Sequence, residues 1–317
     1  MWRPCRRILC LAVFLAGFVV APTWASSIVE ATKSVVAVLP EWPGGYRRQG
    51  NAIEEPEGSA VAVLPGGYLA TNAHVLSRAK RVDVRFSDGR LQAAEIVGRD
   101  VRTDIALIKV STELPVLKVA SPPALGGRVC AISNQFGLGT SVTCGVVSAL
   151  NRSNAGFNPV EDFIQTDAAV NPGASGGALV DGEGRLVGLL SAIFTKQSDA
   201  NIGVNFATSV ELMMRVIEDL RDDGRVRAGR PGWRLAALTP IERRQSTGIR
   251  VVRVKPNGAA SKAGIQVGDI LVRVNARSVY FPSDAVAALY MHRPGDRVLL
   301  QMLRDGSPFD VEIFLSE

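Results

Sequence analysis

Ser175 lies among glycines in the run Gly173-Ala174-Ser175-Gly176-Gly177. Glycine lets the backbone turn so that several N–H groups can face one point. A serine hydroxyl held there could attack a carbonyl carbon, and nearby N–H groups could receive the negative charge that develops on the carbonyl oxygen. This chemistry needs a base that removes the hydroxyl proton and an acid that orients the base.

The chain contains two histidines, His74 and His292. His74 follows an apolar run in Thr71-Asn72-Ala73-His74-Val75. Its imidazole suits a base near neutral pH, because an unperturbed histidine pKa is about 6.5. A lone histidine is usually structural, but this context favours the role of base. His292 follows a predicted helix, and we expect it to be a surface residue at the helix end.

Asp104 is the leading choice for the orienting acid. It precedes the apolar run Ile105–Ile108, and an acid at the start of a buried strand is costly unless it finds a partner. We interpret Asp100 as an ordinary loop acid, and Asp167 as a residue that anchors the serine loop. We expect no metal ion and no cofactor.

Length and charge limit the other possibilities. A chain of 317 residues with 47% hydrophobic residues suggests about two packed domains. The formal net charge is +6, but three of the arginines lie in the first 25 residues, which contain no acid. The remaining basic residues are scattered, apart from a cluster within 221–230. We interpret that cluster as a solvated linker and expect no binding to nucleic acid.

The N-terminus has the pattern of an export signal. Arg3, Arg6 and Arg7 precede the apolar run Ile8–Val20, and Thr23-Trp24-Ala25 places small residues before a cleavage site after Ala25. The alternative is an uncleaved membrane anchor, although the apolar run is shorter than the ~20 residues that a spanning helix needs. Either reading places the body of the protein outside the cytoplasm.

Two cysteines, Cys130 and Cys144, remain after this segment. They flank 136–139 symmetrically, so a hairpin there could bring them together. A disulfide would suit an oxidising compartment, whereas two small buried thiols on strands are the alternative. The sequence leaves both open.

Short strand-like runs separated by turn residues fill the chain from about 28 to 210, which predicts an all-β barrel or sandwich. The clearest runs are Ser59–Leu64, Val82–Phe86, Ile105–Val110, Val129–Ser133, Val142–Leu150 and Leu186–Ile193. A helix is predicted at Val210–Leu220, and the polar segment 221–232 is interpreted as a linker. The remainder, 233–317, alternates strands with one clear helix, which predicts a small α+β module.

The order His74, Asp104, Ser175 is that of chymotrypsin-like proteases. The motifs around these residues, together with the lead-in Phe163–Ala169 and the segment 201–207, resemble the HtrA/Deg family of trypsin-like proteases. The module after the linker resembles a PDZ domain through Val254–Ala260, 263–265 and 268–271. The resemblance implies a mostly β fold: a chymotrypsin-like double β-barrel protease domain at 27–220, then a PDZ domain at 233–317.

The resemblance also implies roles. Ser175 would be the nucleophile, His74 the general base and Asp104 its orienter, with the N–H groups of Gly173 and Ser175 forming the oxyanion hole. Trypsin has an acid six residues before its serine, and here that position is Ala169, which favours small or aliphatic side chains in the substrate pocket. The rest of the pocket would come from Ser191, Ala192 and Ile193. Peptide binding by the PDZ domain would involve Trp233, Arg234, Leu235 and Ala236.

Family membership would further imply unfolded protein or peptide substrates, a homotrimer, a periplasmic location and a loop at Asn151–Asp162 that orders when peptide binds. Two of the departures from the family pattern bear directly on the site and on peptide binding. Ala174 replaces the usual asparagine, and Trp233–Ala236 lacks the usual glycine of the carboxylate-binding loop. Ala174 is the feature that favours the alternative function, a protease-like peptide-binding protein or chaperone with little or no hydrolytic activity.

Overall fold

Two closed β-barrels and a smaller mixed sheet make up the fold, and most of the regular structure is β. The structure, a computed structural model, describes residues 24–41, 47–49, 52–54, 58–193 and 203–317. The double barrel followed by an α+β module confirms the predicted fold class.

The first barrel closes in the strand order β1-β4-β5-β8-β7-β6. Its strands, with the short hairpin β2–β3 that precedes β4, are β1 (Val35–Glu41), β2 (Arg47–Gln49), β3 (Ala52–Glu54), β4 (Gly58–Leu64), β5 (Tyr68–Asn72), β6 (Arg81–Arg85), β7 (Leu91–Asp100) and β8 (Ile105–Lys109). Small and branched side chains such as Val38, Leu69 and Ile108 fill its interior. This is the expected filling of a six-stranded barrel, whose lumen is narrow.

The second barrel closes in the order β10-β11-β14-β13-β12-β9. Its strands are β9 (Arg128–Ser133), β10 (Ser141–Arg152), β11 (Phe163–Thr166), β12 (Ala178–Asp181), β13 (Leu186–Ile193) and β14 (Asn205–Ser209). Cys130 and Cys144 face each other on β9 and β10 and form a disulfide, which decides between the two alternatives that the sequence left open.

Helix α3 (Val210–Asp223) packs across both barrels. Its buried face, which includes Leu212, Val216 and Leu220, joins one apolar cluster with side chains from both barrels. The Ser209 hydroxyl caps the helix start by accepting from the Leu212 N–H, and Gly224 ends the helix in the left-handed conformation (φ 67°). The helix thus extends three residues beyond the predicted end at Leu220.

The C-terminal module contains a sheet of order β15-β16-β17-β19-β20, with β18 paired to β17. Its elements are β15 (Trp233–Ala237), β16 (Ile249–Val254), α4 (Ala259–Lys262), β17 (Ile270–Val274), β18 (Arg277–Ser278), α5 (Pro282–Tyr290), β19 (Arg297–Arg304) and β20 (Ser307–Phe314). Strand β15 is an edge strand, and α5 lies beside it.

The N-terminal helix α1 (Trp24–Thr32) was not predicted. It packs Ile28 and Ala31 into the cluster shared by the barrels, and the Trp24 ring lies 4.6 Å from the Arg128 guanidinium. The predicted cleavage site after Ala25 therefore falls inside this helix. Most of the predicted signal, residues 1–23, lies outside the described residues. Within the described ranges, no helix has the length and apolar character needed to cross a membrane.

Asp219 of α3 connects the barrels to the C-terminal module. Its carboxylate, almost fully buried, lies 2.7 Å from the Arg215 guanidinium and 2.9 Å from that of Arg293, and accepts from the Arg227 N–H at 2.7 Å. Burial opposes ionisation, but the hydrogen bonds from these partners outweigh it, so the pKa of Asp219 is lowered. The linker is thereby fixed to α3 and to the module on either side of it.

We predict that Asp219→Asn lowers the free energy of unfolding at pH 7 by about 2 kcal/mol, since a buried carboxylate is lost beside two guanidinium groups. A lowered native pKa contributes stability above the ordinary aspartate value, about pH 4, and that contribution disappears as the pH falls through the native value. The difference from wild type should therefore shrink below about pH 4. Urea denaturation across this pH range measures it.

Asp222→Asn is the matched control, because Asp222 is on the same helix but exposed and pairs only with Arg221 among the described residues. We expect this control to change stability by less than about 0.5 kcal/mol. Equal destabilisation by the two substitutions would contradict the assigned role of Asp219.

Candidate active site

His74 and Asp104 form the first half of the site. Strand β5 ends at Asn72, and the short helix α2 (Ala73–Leu76) that follows it carries His74. His74 Nδ1 lies 2.6 Å from Asp104 Oδ2, and the His74 N–H donates to Asp104 Oδ1 at 2.8 Å. In the tautomer whose Nδ1–H donates to the carboxylate, Nε2 of this half-exposed ring carries no proton and is free to accept one.

The turn between β7 and β8 holds Asp104 in a fixed position. Its backbone has φ 59°, in the left-handed region that aspartate tolerates better than most residues. The Asp104 carbonyl accepts from the Ala73 N–H at 3.1 Å and from Asn72 Nδ2 at 2.9 Å. The same three-residue segment that presents the histidine therefore also anchors the acid.

Ser175 lies in the loop between β11 and β12. Its hydroxyl donates to the Ser191 carbonyl at 3.3 Å, which is a long hydrogen bond. Both Ser175 and His74 are described, and no hydrogen bond joins them. A rotation about the Cα–Cβ bond, between staggered rotamers, would release the hydroxyl from the Ser191 carbonyl.

Two backbone N–H groups of the serine loop are free to donate a hydrogen bond. Those of Gly173 and Ser175 donate to no acceptor among the described residues. The Pro172 carbonyl accepts from the Phe136 N–H at 2.8 Å, and a trans peptide points its N–H away from its carbonyl, so the Gly173 N–H faces away from Phe136. The loop therefore presents two donors that could stabilise a negatively charged oxygen.

Ser59 of β4, which sequence reasoning missed, holds this loop. Its hydroxyl donates to the Gly173 carbonyl at 2.8 Å and accepts from the Asn134 N–H at 2.9 Å. Its own N–H donates to the Ser175 carbonyl at 2.8 Å. Ser59 is fully buried and belongs to the first barrel, so it ties the serine loop of the second barrel to the first.

Ala174, where the family pattern has asparagine, is fully buried against apolar side chains that include Ala168, Val170 and Leu190. Its N–H donates to the Asn171 carbonyl at 3.0 Å. Packing and this hydrogen bond therefore hold the residue in place without a polar side chain.

The predicted substrate-pocket residues are only partly described. Ala169 is half-buried, and its carbonyl accepts from Thr143 Oγ1 at 2.5 Å. Ser191 is buried, and its carbonyl is the acceptor for Ser175. Ala192 and Ile193 continue β13, but their side chains lie outside the described residues.

The predicted peptide-binding stretch of the C-terminal module is divided by strand alternation. Trp233 and Leu235 line a groove between β15 and α5, whereas Arg234 and Ala236 are not among its lining residues. This follows from the two-residue period of a strand, which sends alternate side chains to opposite faces.

The loop 151–162 lies between the serine barrel and the C-terminal module. The buried Glu161 carboxylate accepts from four consecutive N–H groups, those of residues 155–158, at 2.5 to 3.2 Å. Asp162 pairs with Arg277 of the module at 2.7 Å. Ser153 donates to Asp284 at the start of α5. A single carboxylate thus shapes the loop, and its ends contact the module.

Two sequence interpretations need correction. Asp100 is buried rather than an ordinary loop acid: its carboxylate accepts from the Tyr290 hydroxyl at 2.9 Å and from the Thr103 hydroxyl at 2.7 Å. His292 is half-buried rather than on the surface, and burial lowers its pKa. Asp167 does anchor its loop, accepting from the Val146 N–H at 2.7 Å.

Comparison with known proteins identifies both parts of the chain. Residues 58–189 match the trypsin-like peptidase domain family, and residues 202–315 match the PDZ domain family. The chain is 37% identical over 286 residues to the periplasmic serine endoprotease DegP of Escherichia coli K12, covering 86% of this chain and 59% of DegP. The chain thus spans about three-fifths of the length of this curated relative.

Solved structures match over nearly their whole length. The HtrA-type protease AlgW with a tripeptide has a TM-score of 0.74 and 33% identity, covering 93% of this chain and 97% of that one. A serine endoprotease from Yersinia pestis has a TM-score of 0.63 and 34% identity, covering 94% and 99%.

We predict that Ser59→Ala lowers kcat for peptide hydrolysis by about tenfold or more with little change in KM, because the Gly173 carbonyl and the Asn134 N–H lose their shared partner and the loop loses its fixed orientation. Steady-state kinetics on a short peptide substrate measure both constants. Thr140→Ala is a control, since Thr140 is exposed and lies outside these hydrogen bonds. An unchanged kcat in Ser59→Ala would contradict the prediction.

The identity shared with AlgW over almost both chains, the two barrels, and the matched trypsin-like and PDZ segments lead to one assignment. The chain belongs to the HtrA family of trypsin-like serine proteases, with a single PDZ domain.

Proposed function

We propose that this chain is a periplasmic serine endoprotease in which Ser175, His74 and Asp104 form the catalytic triad. The observation that carries the proposal is the 2.6 Å contact of His74 Nδ1 with Asp104 Oδ2 beside a serine loop with two free N–H donors. The names of the relatives, which are periplasmic and HtrA-type proteases, support it.

The mechanism follows from these groups. The Ser175 hydroxyl turns from the Ser191 carbonyl to His74 Nε2, which accepts its proton as the oxygen attacks the substrate carbonyl. Asp104 stabilises the imidazolium, and the N–H groups of Gly173 and Ser175 stabilise the oxyanion. His74 then protonates the leaving amine, and water releases the acyl group from Ser175 by the same steps in reverse.

Unfolded proteins or peptides are the proposed substrates. The groove beside edge strand β15 would bind an extended peptide as an added strand, with Trp233 and Leu235 facing its side chains. Membership of the family supports a homotrimeric assembly. The apolar N-terminal segment, if it is retained, would associate the protein with the membrane.

A second candidate function is a protease-like peptide-binding protein with little hydrolysis. The observation that favours it is the Ser175 hydroxyl, which donates to Ser191 and not to His74. A fluorophosphonate probe distinguishes the two functions: covalent labelling at Ser175 supports the protease, and no labelling in the presence of unfolded protein or peptide supports the binding protein.

We predict that Ser175→Ala abolishes casein cleavage, by at least about a thousandfold, while the thermal unfolding midpoint stays within a few degrees of wild type. Cleavage is followed on gels with both purified proteins. Ser261→Ala is the matched control, since Ser261 is an exposed serine of α4 far along the chain. Equal cleavage by wild type and Ser175→Ala would refute the triad assignment.

We predict that the wild-type enzyme cleaves after small or aliphatic residues, because Ala169 brings no charge to the pocket. Ala169→Leu should then reduce kcat/KM for a leucine substrate by about tenfold relative to an alanine substrate, since added methylenes fill the pocket. A peptide-library cleavage profile of both proteins measures this. A preference of wild type for lysine or arginine would contradict the assignment.

A further inference from the structure

A cavity of about 600 Å³ lies where three parts of the chain meet. One wall is β15 with α5, the second is the segment 225–231 that links the domains, and the third is the turn Arg99–Arg102 of the first barrel. The last wall belongs to the trypsin-like domain. The groove beside β15 is therefore completed by residues outside the PDZ domain.

The floor of this groove is apolar. Trp233 and Leu235 of β15 face Val286 and Leu289 of α5 across it, and all four line the cavity. Among the strands that the structure describes, β15 pairs only with β16, so its other edge offers backbone N–H and carbonyl groups to an extended segment. A peptide lying there would bury apolar side chains at alternate positions.

The rim of the groove is strongly cationic. Four arginines, Arg99, Arg102, Arg225 and Arg230, line the cavity against one carboxylate, that of Asp100. Asp100 already accepts hydrogen bonds from the hydroxyl groups of Tyr290 and Thr103.

Three of these cations lack a carboxylate partner. Arg102, Arg225 and Arg230 are exposed and form no ion pair with any residue in the described ranges. The Arg102 guanidinium lies 5.0 Å from the centre of the Tyr290 ring, so the aromatic face holds it at the groove. Arg99 is held by the Ser77 carbonyl at 2.7 Å.

Several arginines outside the groove have carboxylate partners. Arg215 and Arg293 pair with Asp219, and Arg304 pairs with Asp269. Three guanidinium groups that form no ion pair among the described residues thus line one groove, where their positive potential is left for a ligand. Fixed guanidinium groups around a partly desolvated groove favour carboxylates, and they discriminate against ligands of like charge.

We propose that this groove selects acidic peptides: extended segments in which aspartate or glutamate side chains flank an apolar residue, with the carboxylates held by Arg102, Arg225 and Arg230. The proposal rests on the proposed peptide binding at β15 but not on catalysis. It makes the trypsin-like domain, through Arg102, a part of the recognition surface for PDZ ligands.

The test uses the full chain with Ser175→Ala, so that bound peptide is not cleaved. Fluorescein-labelled nonapeptides share one apolar centre and carry two Glu, two Gln or two Lys beside it. All have amidated C-termini, so that side chains supply the only carboxylates. Fluorescence anisotropy gives Kd at 50 mM and 500 mM NaCl.

We expect the Glu peptide to bind about tenfold more tightly than the Gln peptide at 50 mM NaCl, because it forms two or more partly exposed charge pairs with the arginines. The Lys peptide should bind most weakly. High salt should remove most of this preference. Arg102→Gln and Arg225→Gln should each reduce it about threefold, and Arg102→Lys should retain it. Arg90→Gln is the control, because Arg90 is exposed and pairs with Asp88 elsewhere on the first barrel.

Equal Kd values for the Glu and Gln peptides would overturn the proposal. A preference for the Glu peptide that neither Arg102→Gln nor Arg225→Gln reduces would overturn it as well. A preference for Glu peptides that appears only when the same peptides end in a free carboxylate would also overturn it, because the groove would then recognise chain ends. Failure of every peptide to bind overturns peptide binding at β15 itself. Casein cleavage by the wild-type chain tests the protease assignment independently of all these results.

Discussion

The contact between strand β4 and the serine loop is the interaction on which the site depends. Chymotrypsin-like chemistry requires groups from two barrels to meet at ångström precision, and here Ser59 makes hydrogen bonds that span them. The backbones of the serine loop and of β4 approach each other closely at this contact. A Cβ at Gly176, which has φ 86°, would lie 2.0 Å from the Ser59 carbonyl oxygen. The glycine after the nucleophile is therefore needed for the approach of the two barrels as well as for the turn.

Much of the site could be predicted because its chemistry is concentrated in short segments. His74 and the serine loop each lie in a run of residues that identifies them without knowledge of the fold. The pattern of short strands separated by turn residues predicted an all-β barrel or sandwich, and the resemblance to the HtrA/Deg family supplied the double barrel. Pairing Cys130 with Cys144 needed the register of β9 and β10, which the sequence did not supply.

The residues that were missed act through distant contacts. Ser59 and Gly173 are 114 positions apart, and Tyr290 and Asp100 are 190 positions apart. A serine in a strand and a tyrosine at a helix end carry no local signal of such roles. Asp100 looked ordinary for the same reason, because its partner belongs to another domain. Helix α1 was missed because its first two residues, Trp24 and Ala25, were assigned to the end of an export signal, so the predicted cleavage site divided the helix.

The PDZ domain contacts the protease domain at segments that are next to the candidate active site in the chain or in the second barrel. Tyr290 of α5 reaches the turn that ends in Asp104, and Arg277 reaches the loop 151–162 through Asp162. The His74–Asp104 half of the site and the second barrel are thus each touched by the PDZ domain. Helix α5 itself contacts both regions, since its Asp284 also accepts from Ser153 of the loop 151–162. A displacement of α5 relative to the barrels would therefore alter both contacts.

The left-handed backbone at Asp104 explains why an aspartate and not a glutamate holds this position. Aspartate and asparagine enter that conformation at modest cost, while longer or branched side chains do so rarely. The backbone conformation thus restricts which residue types fit at this position, independently of the charge that the side chain carries. Asparagine keeps the turn and loses only the carboxylate, whereas alanine disturbs both, so the two replacements at this position are not equivalent ways of removing the same function.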